Sequence, residues 1–382
     1  MKKTQVLILF LLLTTLISCT KKVKMDGFYF GEIGKENKYP TLIKFDHGKF
    51  IDYNYSPYNY FTYTQNGNSF ELKNELNETS NFDIKEQNNL YSLFVKDTLI
   101  SVFEKQKSTN FVFDNLKDKQ IQINLPTGDT KEVNFKSHDF RKLIYLGKKD
   151  DDLVVSFKDT TMKLSADFKE FLNNYYSNDE LLEFPFFNFN IIADKNIKIK
   201  DLNYLKKILK TYETHFFNYF LESSKYDKVK KVSMGLKNVY SSLYNFELAE
   251  KVGPSIPRPP LPYREDHHFK IKFSNNQLYL NDTLITKKTL EKTLKNEIEN
   301  YPTKTFISFY ISEDSKYQDF IDLSLFLHNI YLDFRDSYSE KIYNLKYEDL
   351  KDKSKIKDLQ KKYPKLLYEI DSTSYYNFIK IK

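Results

Sequence analysis

One cysteine and no tryptophan occur among the 382 residues. A single thiol closes no disulfide within the chain and supplies no multi-cysteine metal site. Glycine (9) and proline (11) are scarce, which excludes collagen-like repeats and long flexible low-complexity tracts. Neither sign of charge dominates. The formal net charge is +7, and Lys2 and Lys3 account for two of those charges. Basic and acidic residues alternate, as in Lys351-Asp352-Lys353-Ser354-Lys355, the pattern of a solvated face. No basic patch is interleaved with aromatics, so no nucleic-acid partner is expected. A Gly-x-Ser-x-Gly elbow and a Gly-rich phosphate loop are missing too. What the chain has in quantity is aromatic: 33 Phe and 30 Tyr. Chains that stay disordered are poor in aromatics, so this one folds, and its length allows two or three domains with cores of their own.

The N-terminus carries the sharpest signal. Lys2-Lys3 is a positive start, Val6 to Leu13 is an unbroken apolar run, and Leu16-Ile17-Ser18-Cys19 follows. The apolar stretch is short for a bilayer span, which needs about 20 residues. A small residue directly before the sole cysteine resembles the lipobox of bacterial lipoproteins. In that family residues equivalent to 1–18 are removed as a signal peptide and the cysteine, here Cys19, is acylated as the new first residue. The resemblance implies an export-competent chain tethered to an envelope membrane by lipid. Its body would lie in the periplasm or at the cell surface. Lipidation would also consume the one thiol. No later stretch is long and apolar enough to cross a membrane, and residues 19–25 read as a short basic tether.

Three further regions follow. Residues 24–106 read as β: runs such as Gly27–Ile33, Thr41–Phe45, Lys49–Tyr53, Ser69–Lys73 and Thr98–Phe103 are separated by turn residues, Asp46-His47-Gly48 and Asn66-Gly67-Asn68 among them. Short strands at this spacing predict a small antiparallel β module, a barrel or a sandwich. From about 107 to 250 strands mix with helices. Gln120–Pro126, Leu143–Leu146, Leu153–Phe157, Phe186–Ala193 and Val229–Met234 read as strands. Helices are expected after Ser165, with Phe168, Phe171 and Leu172 on one face, and from Asp201, with Leu202, Leu205, Ile208 and Leu209. Residues 251–266, with Gly253-Pro254-Ser255-Ile256-Pro257-Arg258-Pro259-Pro260-Leu261-Pro262, read as a stiff spacer. The mixed pattern returns over 267–346, with strands at His268–Phe273 and Thr305–Ile311, helices capped by Thr286 or Thr289 and spanning Asp319–Asn329, and a closing strand at Lys341–Leu345. Residues 347–382 read as a charged terminal helix and tail.

The two mixed regions share one order: strand, hairpin, strand, helix, strand, helix, strand. Asn190-Ile191-Ile192-Ala193-Asp194-Lys195 precedes Asp201-Leu202, and Phe309-Tyr310-Ile311-Ser312-Glu313-Asp314 precedes Asp319-Phe320. The fold class expected is therefore α+β: a small antiparallel β module, then two α+β repeats, each a mixed sheet with helices on one face. The repeat order resembles the periplasmic domain of the ExbD/TolR biopolymer-transport family, in which a strand ending in Ala-Asp leads to a helix and a last strand. That resemblance implies an envelope setting, dimerisation and contact with the wall or with transport partners. The family's membrane-spanning helix, with the carboxylate that takes part in proton-driven work, has no counterpart here, so motor function is not implied.

Few residues suggest chemistry. His267-His268 follows Glu265-Asp266, but adjacent strand residues face opposite sides and seldom share a metal. His47, His138, His215 and His328 are isolated. Asp150-Asp151-Asp152 lacks the alternating ligands of a calcium loop and reads as a charged turn. Asp194 and Asp314 end matching strands and read first as caps, second as site candidates. No metal or cofactor is expected. The expected function is that of a non-catalytic, membrane-tethered binding or scaffold protein for an envelope complex or peptidoglycan. A lipid or small-ligand carrier built on the β module, or a tethered hydrolase, is the alternative.

Overall fold

The computed structural model describes residues 23–33, 39–52, 59–74, 77–106, 121–129, 143–158, 160–177, 188–211, 216–222, 229–236 and 267–370. Residues 1–22, which include the stretch read as a signal peptide and Cys19, and His138, His215, the stretch 251–266 read as a spacer and residues 371–382 lie outside them. The chain divides into two compact units, residues 1–108 with 136–138, and 109–135 with 139–382.

The first unit is a closed antiparallel barrel of eight strands: β1 (Gly27–Ile33), β2 (Tyr39–Asp46), β3 (Lys49–Asp52), β4 (Asn59–Asn66), β5 (Ser69–Lys73), β6 (Thr79–Gln87), β7 (Leu90–Val95) and β8 (Thr98–Gln106). Each strand pairs with the next, and β8 closes on β1 through Phe28↔Gln106 to Ile33↔Ser101. Two-residue turns drive the hairpins. Asn88-Asn89 and Lys96-Asp97 hold positive φ at both positions, the conformation whose twist matches flanking strands. Alternate residues point inward, and the interior is filled with rings: Tyr29, Phe45, Phe50, Phe70, Phe82, Tyr91 and Phe103 share one buried cluster. Phe45 meets Tyr29, Phe50, Tyr63 and Phe70 edge-on at 5.1 to 5.8 Å. Eight strands enclose an interior just wide enough for side chains to fill.

Val23 and Met25, read above as part of a tether, belong to the barrel instead. They are 2% and 3% exposed. The Val23 amide donates to Asn68 Oδ1 (3.0 Å), and Gln65 Nε2 donates to the Val23 carbonyl. Apolar side chains at the barrel's edge are worth more buried than exposed, and these two are buried.

The second unit holds one mixed sheet of eleven strands. Its elements are β9 (Leu143–Lys149), β10 (Asp152–Phe157), β11 (Thr160–Lys163), α1 (Ala166–Ser177), β12 (Asn188–Ala193), α2 (Ile199–Lys210), β13 (Phe216–Glu222), β14 (Val229–Leu236), β15 (His268–Ser274), β16 (Gln277–Leu280), β17 (Thr283–Ile285), α3 (Lys287–Asn300), β18 (Phe306–Ile311), α4 (Tyr317–Tyr343), α5 (Lys353–Lys362) and β19 (Leu367–Glu369). The strand order is β11-β10-β9-β12-β13-β14-β19-β18-β15-β16-β17. A hairpin meander lies at each edge, and β9, β12 and β13 run parallel, as do β15, β18 and β19. Between them β14 pairs antiparallel with β13 and parallel with β19. Read from its edge inward, β11-β10-β9-β12-β13 has the same sequence-to-space order as β17-β16-β15-β18-β19.

One apolar core serves both halves. Leu202, Leu205 and Leu209 of α2, Leu290, Leu294 and Ile298 of α3, and Phe320, Leu323 and Leu327 of α4 join Ile191, Tyr219, Ile307 and Phe309 from the strands. β18 is buried along its whole length, which its unbroken Phe306-Ile307-Ser308-Phe309-Tyr310-Ile311 anticipates. Side chains cap α1 and α3: Ser165 Oγ accepts from Asp167 N (3.2 Å) and Thr286 Oγ1 from Thr289 N (3.2 Å), which satisfies amides that the helix leaves free.

Several expectations are corrected. Gln120–Pro126 is no strand: its described part, from Ile121, meets β9 only through the Gln122↔Lys148 bridge and then runs on as a strap. Gly147 permits the close pass, since a Cβ there would sit 2.6 Å from the Gln122 carbonyl. Lys341–Leu345 is no closing strand, because α4 runs 27 residues to Tyr343 and stops at Asn344 in left-handed conformation (φ 55°). The polar Arg335 and Asp336 interrupt its apolar rhythm yet are buried. Arg335 Nη2 donates to the Tyr363 carbonyl (2.9 Å), and Asp336 Oδ1 accepts from Tyr347 N (3.1 Å). The closing strand is β19, inside the stretch read as a tail, so the second half extends past residue 346. Asp150 and Asp151 form a hairpin turn, while Asp152 pairs with Lys163 (2.8 Å).

Candidate functional site

The strand-to-helix loops of the two halves meet. Lys198, just before α2, and Lys316, just before α4, form an antiparallel backbone bridge. Four hydrogen bonds flank it: Ile199 N to Ser315 O (2.9 Å), Tyr317 N to Ile197 O (2.8 Å), Lys200 N to Glu313 O (3.0 Å) and Gln318 N to Lys195 O (3.1 Å). These are first-turn amides, which a helix cannot satisfy itself. Each helix thus finds acceptors in the loop of the other half. Lys198 Nζ also donates to the Asp314 carbonyl (2.6 Å).

Asp194 and Asp314 are both at this junction but do different work. Asp194 is 7% exposed. Its Oδ1 accepts from Asn196 N (2.8 Å) and its Oδ2 from Asn124 N (2.7 Å) and Asn124 Nδ2 (3.1 Å). It caps no helix; it ties residues 121–129 across the ends of the parallel strands. That strap bonds Lys148 of β9, Lys195 after β12 and Glu222 of β13 in turn. It then reaches α4, where Gln318 Nε2 donates to Thr127 O (2.9 Å) and Asn329 Nδ2 to Asp129 O (3.1 Å). The carboxyl ends of parallel strands are where open α/β sheets hold ligands; here the strap lies there. Asp314 is exposed and contributes its carbonyl. The loop pairing sets Asp194 in register with Ser312, not with Asp314, so the two aspartates are not equivalent.

A second polar cluster sits within the core. Lys206 of α2, 3% exposed, pairs with Glu369 of β19. Tyr219 of β13 donates its hydroxyl to Glu369 Oε2 (3.1 Å). Lys206 Nζ also lies 5.2 Å from the Phe320 ring centre, a cation–π contact. Burial, then the Glu369 charge, pushes the hydroxyls of Tyr219 and Tyr317 well above their ordinary range, so both stay protonated. The Tyr317 hydroxyl is buried without a hydrogen-bond partner. Sequence reading missed this cluster. Its signal was Lys206 itself, a lone charge within the apolar stripe of Leu202, Leu205 and Leu209; Glu369 lay in a stretch read as tail.

His267, just before β15, and His268, its first residue, part company. His267 Nδ1 lies 3.5 Å from Glu297 Oε2, and its ring rests on Tyr301 at 4.1 Å. His268 Nε2 meets Ser308 Oγ at 2.7 Å. That is a nucleophile-to-base distance, but Ser308 is 1% exposed in an inner strand, where no substrate carbonyl reaches it; the pair serves as a buried hydrogen bond. Among the described residues, no group of three or more His, Cys, Asp or Glu side chains is arranged to hold a metal ion, and no helix is long and apolar enough to cross a membrane. No protein-family model matches the chain, and comparison with curated proteins gives no match.

Proposed function

We propose that the chain is a bacterial envelope lipoprotein, tethered through acylated Cys19, whose second unit is a non-catalytic binding scaffold for an envelope protein complex or for peptidoglycan. The observation that carries this reading is the mutual pairing of the strand-to-helix loops around Lys198 and Lys316. Each half supplies the acceptors that the other half's helix lacks, the reciprocity of an isologous dimer interface. With the shared strand order, this supports two α+β repeats joined as an internal pseudo-dimer. It fits the ExbD/TolR resemblance, whose periplasmic domains dimerise and contact the wall or transport partners. The fused form would present a fixed, two-faced surface without a separate dimerisation step. Ring filling of the barrel interior supports this reading over ligand carriage, since pockets that take lipids are open cavities.

The test is in-membrane cross-linking of the full-length protein together with peptidoglycan pull-down by the soluble body. Recovery of a specific envelope protein or of wall polymer is expected. Turnover in a substrate screen with no partner recovered by either route overturns the reading.

A further inference from the structure

Two counts bear on how the barrel sits relative to a bilayer. The first is chain length. Between Cys19 and Val23 lie only Thr20, Lys21 and Lys22, so the two Cα atoms are at most about 14 Å apart, four steps of an extended chain. Val23 is not a free end. It is 2% exposed, in the barrel core, and its amide and carbonyl are held by Asn68 and Gln65. The leash is therefore fixed to one point of a rigid body.

The second count is where that point lies. Gly27 pairs with Phe45 and Phe28 with Gln106, so the start of β1 lies beside the ends of β2 and β8. The same end carries the β2–β3 turn at His47-Gly48, the β4–β5 turn at Gly67-Asn68 and the β6–β7 turn at Asn88-Asn89. The Tyr63 amide donates to the Gly48 carbonyl, and that of Ile84 to Asn68. The opposite end carries Asn77 and the β7–β8 turn at Lys96-Asp97. β8 runs nine residues from one end to the other. At about 3.4 Å per residue and a tilt of about 40°, the ends are about 20 Å apart. The leash is shorter than the barrel is tall.

We propose that the barrel sits end-on at the lipid surface, with the His47-Gly48, Gly67-Asn68 and Asn88-Asn89 turns facing the headgroups and the Lys96-Asp97 turn facing away. This rests on the reading of Cys19 as acylated. Charge does not impose the seating. On the barrel itself Lys24, Lys44, Lys49, Lys85 and Lys105 at this end stand against Asp26, Asp46, Asp83, Glu86 and Glu104, and only Lys21 and Lys22 of the leash add charge of one sign, so the partner is a phospholipid surface held close by the leash rather than a specific anionic lipid. The barrel then acts as a foot. It fixes the point from which residue 106 leads on to the second unit.

The experiment uses the full-length acylated protein in phosphatidylcholine vesicles with a nitroxide on the headgroup. Acylation occupies the Cys19 thiol, so a fluorophore attached through Lys49→Cys reports the near end and one through Thr98→Cys the far end. Both positions are exposed. Quenching several-fold stronger at position 49 than at 98 is expected. A spacer of about 15 Gly/Ser residues inserted between Lys22 and Val23, with a mean reach of about 22 Å, should erase the difference while the protein still floats with the vesicles. Equal or reversed quenching in a protein that floats through Cys19 overturns the seating and leaves the anchor standing. A Cys19→Ser protein that floats like the parent overturns the anchor, and the seating with it.

Discussion

Lys198 and Lys316 pair with each other across the middle of the second unit, and the four backbone hydrogen bonds beside that bridge exchange in pairs. The shift that carries Lys198 onto Lys316 carries Ile199 onto Tyr317, Lys200 onto Gln318, Ile197 onto Ser315 and Lys195 onto Glu313. It turns the bond from Ile199 to Ser315 into that from Tyr317 to Ile197, and the bond from Lys200 to Glu313 into that from Gln318 to Lys195. A residue bridged to its own counterpart marks a local two-fold axis. The sheet departs from that symmetry at its centre, where β14 is inserted between β13 and β19.

Near this axis the two aspartates singled out by sequence should behave oppositely. Asp194→Ala removes the acceptor of two backbone amides and of the Asn124 side chain at a partly buried junction. We expect a loss of about 1–3 kcal/mol, read as a lower chemical-denaturation midpoint of the second unit. Asp314→Ala should change stability by no more than about 0.5 kcal/mol, as for most exposed substitutions. Equal effects from the two would show that Asp194 does not hold the strap.

Legibility followed local chemistry. Hairpins announced themselves through Asn, Asp and Gly at turns, as at Asp46-His47-Gly48, where His47 and Gly48 both have positive φ. Runs such as Thr305–Ile311 and stripes such as Leu202-Leu205-Leu209 gave strands and helices in place. β6 was missed: of its nine residues only Phe82 and Ile84 are buried, too little alternation to register, and without it closure of the barrel was hidden. The full length of α4 was hidden by Arg335 and Asp336, whose partners in 347–363 are supplied by tertiary structure. β19 is three residues long and makes sense only beside β18. The candidate residues fared similarly. Sequence placed Asp194 at a strand end but not its partner Asn124, seventy positions away, and it matched Asp194 with Asp314 where the register matches it with Ser312. His267 and His268 were correctly expected to diverge.

Tyr29 gives the barrel a pH dependence. Burial pushes its hydroxyl from the ordinary value of 10.0 up to about 12, against a smaller lowering from its bond to the Asp26 carbonyl. The folded barrel therefore resists deprotonation more than the unfolded chain does. The associated stability is complete below about pH 10 and drains away as pH rises toward 12. Thermal unfolding by far-UV circular dichroism at pH 8.5 and pH 11 should show the barrel losing more stability between the two than a Tyr29→Phe variant loses. Parallel losses in both proteins would assign the alkaline sensitivity to other groups.

Lys206 and Glu369 offer the sharpest test of how the halves are joined. Their ion pair is buried, with side chains 4% and 12% exposed, and links α2 of the first half to β19 of the second. Bringing both charges out of water is costly, so the pair is not expected to stabilise the fold relative to apolar residues of the same shape. Breaking it is another matter. Lys206→Met leaves a carboxylate in the core with only the Tyr219 hydroxyl for company, and a cost of about 3–5 kcal/mol is expected. Glu369→Leu leaves the ammonium beside the Phe320 ring and strands the Tyr219 hydroxyl, at a similar cost. The triple change Lys206→Met, Glu369→Leu, Tyr219→Phe removes every member at once and should recover most of the loss, so the single effects are strongly non-additive. Midpoints of chemical denaturation for the parent, the two single variants and the triple variant close the comparison. If the triple variant is as unstable as the two single losses added together, the three side chains act separately and do not form a unit joining the halves.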